Sequence, residues 1–173
     1  PVIVSMIGYP NITGMPTVDY RIVDKYTDPV EHEQNRYHIH QNRQAEEFHR
    51  LPGCFLCYTP YFDPPVQLAQ YVPCSVHGVV TFGCYNNLAK AVPRMWNVFK
   101  QILKAVPNSR LSLKYKPFVC RSVRSLIASY FGDVAHRVDM MGHMPTTGSH
   151  LESYNNVDIA LDTFPYGGTT TTC

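Results

Sequence analysis

Apolar residues recur along this chain with two different periods, and the alternation between them sets out the fold. Short strand-like runs stand at 1–6 (PVIVSM, β-branched and apolar), 78–83 (GVVTFG), 110–114, 137–141 and 157–161, each predicting a short strand, the first and last of them buried. Residues 19–24 read as a further strand, polar at both ends, and 51–59 as another. Between 93 and 106 the period lengthens. Met95, Val98, Phe99, Ile102, Leu103 and Val106 fall three or four apart on one helix face, with Pro93 suited to the first turn and Pro107-Asn108 to the exit. Val123, Leu126, Ile127 and Tyr130 mark a second amphipathic helix over 122–131, and 150–156 predicts a third. From 78 onward strand and helix alternate with short loops, an order that predicts an α/β fold with a parallel sheet.

The stretches between these elements divide the chain. Residues 8–16 (GYPNITGMP) form a turn-rich loop after a strand, which fits a site wall or a plain connector. Residues 25–50 are polar and rich in His (His32, His38, His40, His49), predicting a surface helix or a polar insertion. His38-x-His40 has the spacing of a metal pair, but solvated histidines are the ordinary state of such a segment. Residues 60–77 carry Pro60, Pro64, Pro65 and Pro73 without periodicity and predict a semi-rigid linker. The expected division is therefore 1–59, a linker over 60–77, and 78–173.

Composition narrows the class. The chain has 173 residues, 45% hydrophobic and 16% charged, enough for one core or two small lobes. A net charge of +2 without a dense Lys/Arg block gives no argument for nucleic acid, and no run is long and apolar enough to predict a membrane span. The six cysteines (Cys54, Cys57, Cys74, Cys84, Cys120, Cys173) lie partly inside strand-like runs and predict free buried thiols rather than a disulfide framework. Cys54-Phe-Leu-Cys57 lacks the second pair a zinc finger needs, so strand core is the preferred reading. No metal site is expected. Asn11-Ile-Thr13 fits a glycosylation sequon and is taken as a chance match. Both ends, Pro1 and Cys173, read as cuts in a longer chain.

Candidate chemistry concentrates at 158–173. A short strand ends in Asp162, a Pro/Gly turn follows, then a run of hydroxyls from Thr169 to Thr172. In parallel α/β sheets ligands bind past the carboxyl ends of the strands. Gly167-Gly168 lets backbone approach a phosphate, and threonines at a helix start add donors aimed at negative charge. The same residues fit a loop that merely caps a helix, since Thr is an ordinary cap. Asp162 fits a ligand contact or a cap of its turn, and is read as structural. Lys114 and Lys116, at a strand end, fit added charge in the crevice or a solvated edge, and are read as the latter.

Six collinear blocks carry a resemblance: Gly8-Tyr-Pro-Asn-Ile-Thr-Gly14, Val18-Asp-Tyr-Arg-Ile22, Arg50-Leu-Pro52, Phe82-Gly-Cys-Tyr-Asn-Asn-Leu-Ala-Lys90, Ala105-Val-Pro-Asn-Ser-Arg110 and the stretch from Asp158 to Cys173. Together they resemble the catalytic region of the O-GlcNAc transferase family, its plant SPINDLY-type branch most of all. The resemblance implies a GT-B glycosyltransferase with two Rossmann-like lobes, of which this chain holds a fragment of both: the C-terminal part of the first lobe in 1–59 and the first half of the nucleotide-sugar-binding lobe in 78–173. It implies transfer of a sugar to Ser/Thr of cytoplasmic or nuclear proteins, inverting and metal-independent, with no cofactor. UDP-GlcNAc is the donor in the wider family and GDP-fucose in the SPINDLY branch. Tetratricopeptide repeats that select acceptor proteins belong to full-length members, and no such repeat stands in this sequence.

By the same resemblance Lys90 matches the lysine that meets the donor's diphosphate, the catalytic assignment here. Asn87, His150, Gly168, Thr169, Thr170 and Thr171 match donor-binding positions, and Gly8 and Pro10 match the loop of the other lobe bordering sugar and acceptor. Tyr166 stands where animal members have a Cys facing the sugar, and Ala89 where they have a Tyr, so the sugar pocket is expected to differ. The family's histidine base lies upstream of Pro1. The segment by itself is expected to be inactive, and the alternative reading is a non-catalytic nucleotide-binding or scaffolding remnant.

Overall fold

A computed structural model of the chain describes residues 1–8, 11–32, 46–59 and 66–173. Pro10, the His38-x-His40 pair, the rest of 33–45 and the linker start at 60–65 lie outside the described residues. Two compact units are present, Pro1–Thr59 and Pro60–Cys173.

The first unit holds a three-stranded parallel sheet in the order β1 (Val4–Ser5), β2 (Tyr20–Asp24), β3 (Glu47–Leu51). Its buried residues are largely polar, so each must find partners. Glu46 accepts from the Thr13 N–H at 2.6 Å, and Asp24 accepts from the N–H groups of Thr27 (2.8 Å), Tyr26 and Phe55 (both 2.9 Å). Two expectations fail here. The 1–6 run is not a buried strand: only Val4–Ser5 pair, and Val2, Ile3 and Val4 are exposed, because β1 is the outer strand with a partner on one side. The strand predicted over 51–59 lies at Glu47–Leu51, where pairing with β2 runs from Tyr20↔Glu47 to Asp24↔Leu51 and stops at the Pro52-Gly53 turn. Cys54 and Cys57 are consequently exposed rather than strand core, and of the six cysteines only Cys84 is buried.

The second unit opens on α1 (Pro73–His77), a short helix inside the stretch read as linker. Then come β4 (Val80–Cys84), α2 (Pro93–Ala105), β5 (Ser109–Lys114), α3 (Arg121–Phe131), β6 (Val138–Met141), α4 (Thr147–Glu152) and β7 (Ile159–Ala160). The four strands are parallel and ordered β6-β5-β4-β7. Their core is apolar and continuous: Phe118, Phe131, Leu103, Leu111 and Leu113 are fully buried, with Trp96, Phe99 and Ile127 around them. Each such side chain contributes about 1.5–3 kcal/mol on leaving water. The helix faces are shifted slightly from expectation, since Val98 and Leu126 are exposed while Trp96 and Phe131 turn inward.

Two further expectations change. The terminal strand is short and exposed, and among the described residues it pairs only with β4. The third helix begins at Thr147, because Thr146 and Ser149 form a reciprocal cap there; 153–156 continues as a 3₁₀ turn. His150 therefore lies inside α4 rather than at its start. Residues 169–173 make one turn, in which the Thr172 and Cys173 N–H groups both donate to Thr169 O at 3.2 Å and the Thr172 hydroxyl donates to Gly168 O at 2.8 Å.

Candidate functional site

The strand order decides where a ligand can sit. The chain runs β4, β5, β6 in one direction across the sheet and then returns to place β7 on the other side of β4. The order reverses between β4 and β7, and at such a switch point the loops leave in opposite directions and open a crevice past the carboxyl ends. The loop after β4 carries Tyr85, Asn86, Asn87 and Lys90; the loop after β7 carries Asp162 and the Gly167-Gly168 turn.

These two loops are bound to each other. Asp162 Oδ1 accepts from Asn86 Nδ2 at 2.9 Å, Thr163 N at 2.7 Å and Gly168 N at 2.6 Å. Thr163 Oγ1 closes the turn on Tyr166 O at 2.6 Å, the Phe164-Pro165 bond is cis, and Pro165 bridges to Ala91. Asn87 caps the 3₁₀ turn Leu88–Lys90 by accepting from Ala89 N at 3.0 Å, which directs Lys90 across the crevice. Its Nζ donates to Gly167 O at 3.2 Å and lies 4.4 Å from the Tyr166 ring centroid. An ammonium on a ring face and a backbone carbonyl is held by weak, replaceable contacts, so an anion can displace them.

The predicted residues thus separate into three sets. Lys90 and Tyr166 meet at the β4/β7 crevice, where Lys90 bonds Gly167 rather than Gly168 and Gly168 is held by Asp162, with Thr169, Thr170 and Thr171 exposed in the turn that follows. Asn87 is exposed between this crevice and a second set, in which His150 packs against Tyr85 and Tyr154 and its Nδ1 hydrogen-bonds the Lys114 ammonium. Gly8 belongs to the first unit, on an exposed loop after Ile7, whose left-handed φ of 59° is an outlier for a β-branched residue. The reading of Lys114 as a solvated edge is corrected: it is half-buried, and burial lowers its pKa to about 8. Desolvation, then the Lys114 charge, holds His150 below the ordinary imidazole value. Tyr85 and Asn86 were not singled out from sequence, and Lys114 was weighed only as a strand-end charge. Their signal was position, each at or just past the carboxyl end of a parallel strand.

The second unit's fold and this crevice define a class, the doubly wound α/β lobe whose strand-order reversal opens a cleft past the carboxyl ends of its strands. Over its whole length the chain is 48% identical to the probable UDP-N-acetylglucosamine–peptide N-acetylglucosaminyltransferase SPINDLY of Arabidopsis thaliana and 46% identical to that of Solanum lycopersicum. The chain belongs to the O-GlcNAc transferase family, in its SPINDLY branch. It spans 18% of the length of either relative. A solved structure of a lysine-to-methionine variant of the Thermobaculum terrenum O-GlcNAc transferase matches 99% of this chain, and 31% of that one, with a TM-score of 0.81 at 29% identity. The two units, each with a parallel sheet, are therefore a fragment of a GT-B fold. No family model matches the chain.

Proposed function

We propose that the β4/β7 crevice holds the diphosphate of a nucleotide sugar, and that a protein of the relatives' length uses it to glycosylate Ser/Thr hydroxyls of cytoplasmic or nuclear proteins. The observation that carries this reading is the Lys90 ammonium, held across a switch-point cleft onto the carbonyl of a Gly-Gly turn. In such a transfer the acceptor hydroxyl gives its proton to a general base as its oxygen attacks the anomeric carbon from the face opposite the leaving group, so the configuration inverts. The bond to the diphosphate breaks and negative charge grows on its outer oxygen. A fixed ammonium stabilises that charge without a metal, and loss of one such donor costs about 10²–10³ in turnover. The exposed hydroxyls of Thr169, Thr170 and Thr171 add neutral donors beside it. Tyr166, whose ring lies under Lys90, borders the sugar side.

UDP-GlcNAc and GDP-fucose are the two donors to test. Full-length protein titrated with each, beside Lys90→Ala, is expected to bind one tightly and to lose at least about tenfold in affinity in the variant. Absence of binding to both, or an affinity untouched by Lys90→Ala, overturns the reading.

A further inference from the structure

On the other side of β4 from Lys90, a second cation is short of partners. Lys114 ends β5, its Nζ hydrogen-bonded to His150 Nδ1 and 5.4 Å from the Tyr85 ring centroid. It lines a pocket of about 290 Å³ with Tyr85, Asn86, Asn87, Lys116 and His143. The titratable groups around it are His150 on α4, Tyr154 after it, Tyr85 after β4, Tyr115 and Lys116 after β5, and His143 after β6. None is acidic, and among the described residues no salt bridge joins Lys114 to a carboxylate. With its value lowered by burial, His150 is neutral at pH 7, and its Nδ1 accepts from Lys114. The ammonium has lost part of its hydration for a neutral acceptor and a ring face, which leaves donors unmatched.

Adjacent strands are about 4.8 Å apart, so β5 and β7 lie about 10 Å apart with β4 between them. One nucleotide laid along the carboxyl edge, its diphosphate at Lys90, brings its base to this pocket. We propose that Lys114, positioned by His150, is a second ligand-binding cation of the donor site and donates a hydrogen bond to a carbonyl oxygen on the donor's base. This inference rests on the nucleotide-sugar reading above. It makes Lys114 a specificity-determining residue, because uracil and guanine carry such an oxygen and adenine does not. A base carbonyl supplies the missing acceptor and favours the charged amine, so binding recruits a proton wherever the free lysine is partly neutral.

The test is calorimetric titration of full-length protein with UDP-GlcNAc, GDP-fucose and ADP-glucose at pH 7.0 and 8.5, in buffers of differing ionisation enthalpy. With a free value of about 8, affinity for the cognate donor is expected to fall about fourfold between the two pH values, with net proton uptake at pH 8.5. Lys114→Met is expected to weaken that donor about tenfold at pH 7.0, to abolish the proton uptake and to narrow the preference over ADP-glucose. Lys114→Arg, charged throughout, keeps the affinity and loses the pH dependence. Lys90→Ala weakens binding yet retains the uptake. Donor binding whose affinity and proton count are unchanged in Lys114→Met, or whose pH dependence survives in Lys114→Arg, overturns this inference and leaves the diphosphate reading standing; failure of every nucleotide to bind overturns both.

Discussion

Single residues in the crevice act chiefly by holding backbone in place. Asp162 illustrates this, because one of its oxygens gathers Asn86, Thr163 and Gly168 and so fixes the two crevice loops together. Gly168 is required by space: a Cβ there would stand 2.3 Å from Asn86 Oδ1, on a side chain that is buried and already tied to Asp162. Gly168→Ala must therefore shift the turn that carries Thr169 and Thr170. Donor affinity of the full-length protein is expected to fall by about tenfold or more, an overpacked contact costing about 1–3 kcal/mol. Unchanged affinity in the same titration would refute the close approach. At this scale residue type alone drew attention to the Gly-Gly turn and the run of hydroxyls, while Lys90 was singled out by the family resemblance. The sequence was silent on the contact between Lys114 and His150, which joins positions 36 apart and depends on how far β5 and α4 bury each other's ends. No pattern of apolar residues encodes that.

Elements were legible in proportion to their length and amphipathicity. The 93–106 helix was readable to within a residue of Pro93–Ala105, because a 13-residue helix with one apolar face repeats its period several times. Strands of two residues offer no repeat, and whether they are buried depends on their place in the sheet. Val4–Ser5 and Ile159–Ala160 both proved exposed for that reason. What the pattern also concealed is the tightness of the β4 crossing. A Cβ on Gly83 would meet Val157 Cγ2 at 2.6 Å and Cγ1 at 2.7 Å, so the segment leading into β7 packs directly on the β4 backbone. Gly83→Ala is expected to destabilise the second unit by about 1–3 kcal/mol, read by denaturant titration through the fluorescence of buried Trp96. Val157→Ala in the same molecule should recover part of that loss, and additive effects in the double variant would show that the two sites are not in contact.

At the scale of the whole chain, the second unit works because its topology brings distant segments to one edge, and Asp158 is where that closure is fastened. Its two oxygens accept from Cys74 N and Thr81 N, both at 2.8 Å and across 84 and 77 positions of sequence, joining α1, the start of β4 and the approach to β7. Partial burial pushes this carboxyl's pKa up, but the Thr81 and Cys74 amides, the Cys74 thiol and the His77 charge outweigh it and hold the value below the ordinary 3.8. A folded value below the unfolded one means that the contribution is present above about pH 4 and is lost as pH falls through the folded value. Asp158→Asn is therefore expected to lower the melting temperature by about 3–6 °C at pH 7, the loss of roughly one charge-assisted hydrogen bond in a unit of this size. The gap between variant and parent should close as the pH is taken from 5 towards 3, because the protonated acid then matches the amide. Melting followed by Trp96 fluorescence across that range decides it. A gap that persists undiminished at pH 3 would mean that the neutral shape of the side chain, not its charge, draws β7 against β4 and so forms the crevice in which Lys90 meets the Gly-Gly turn.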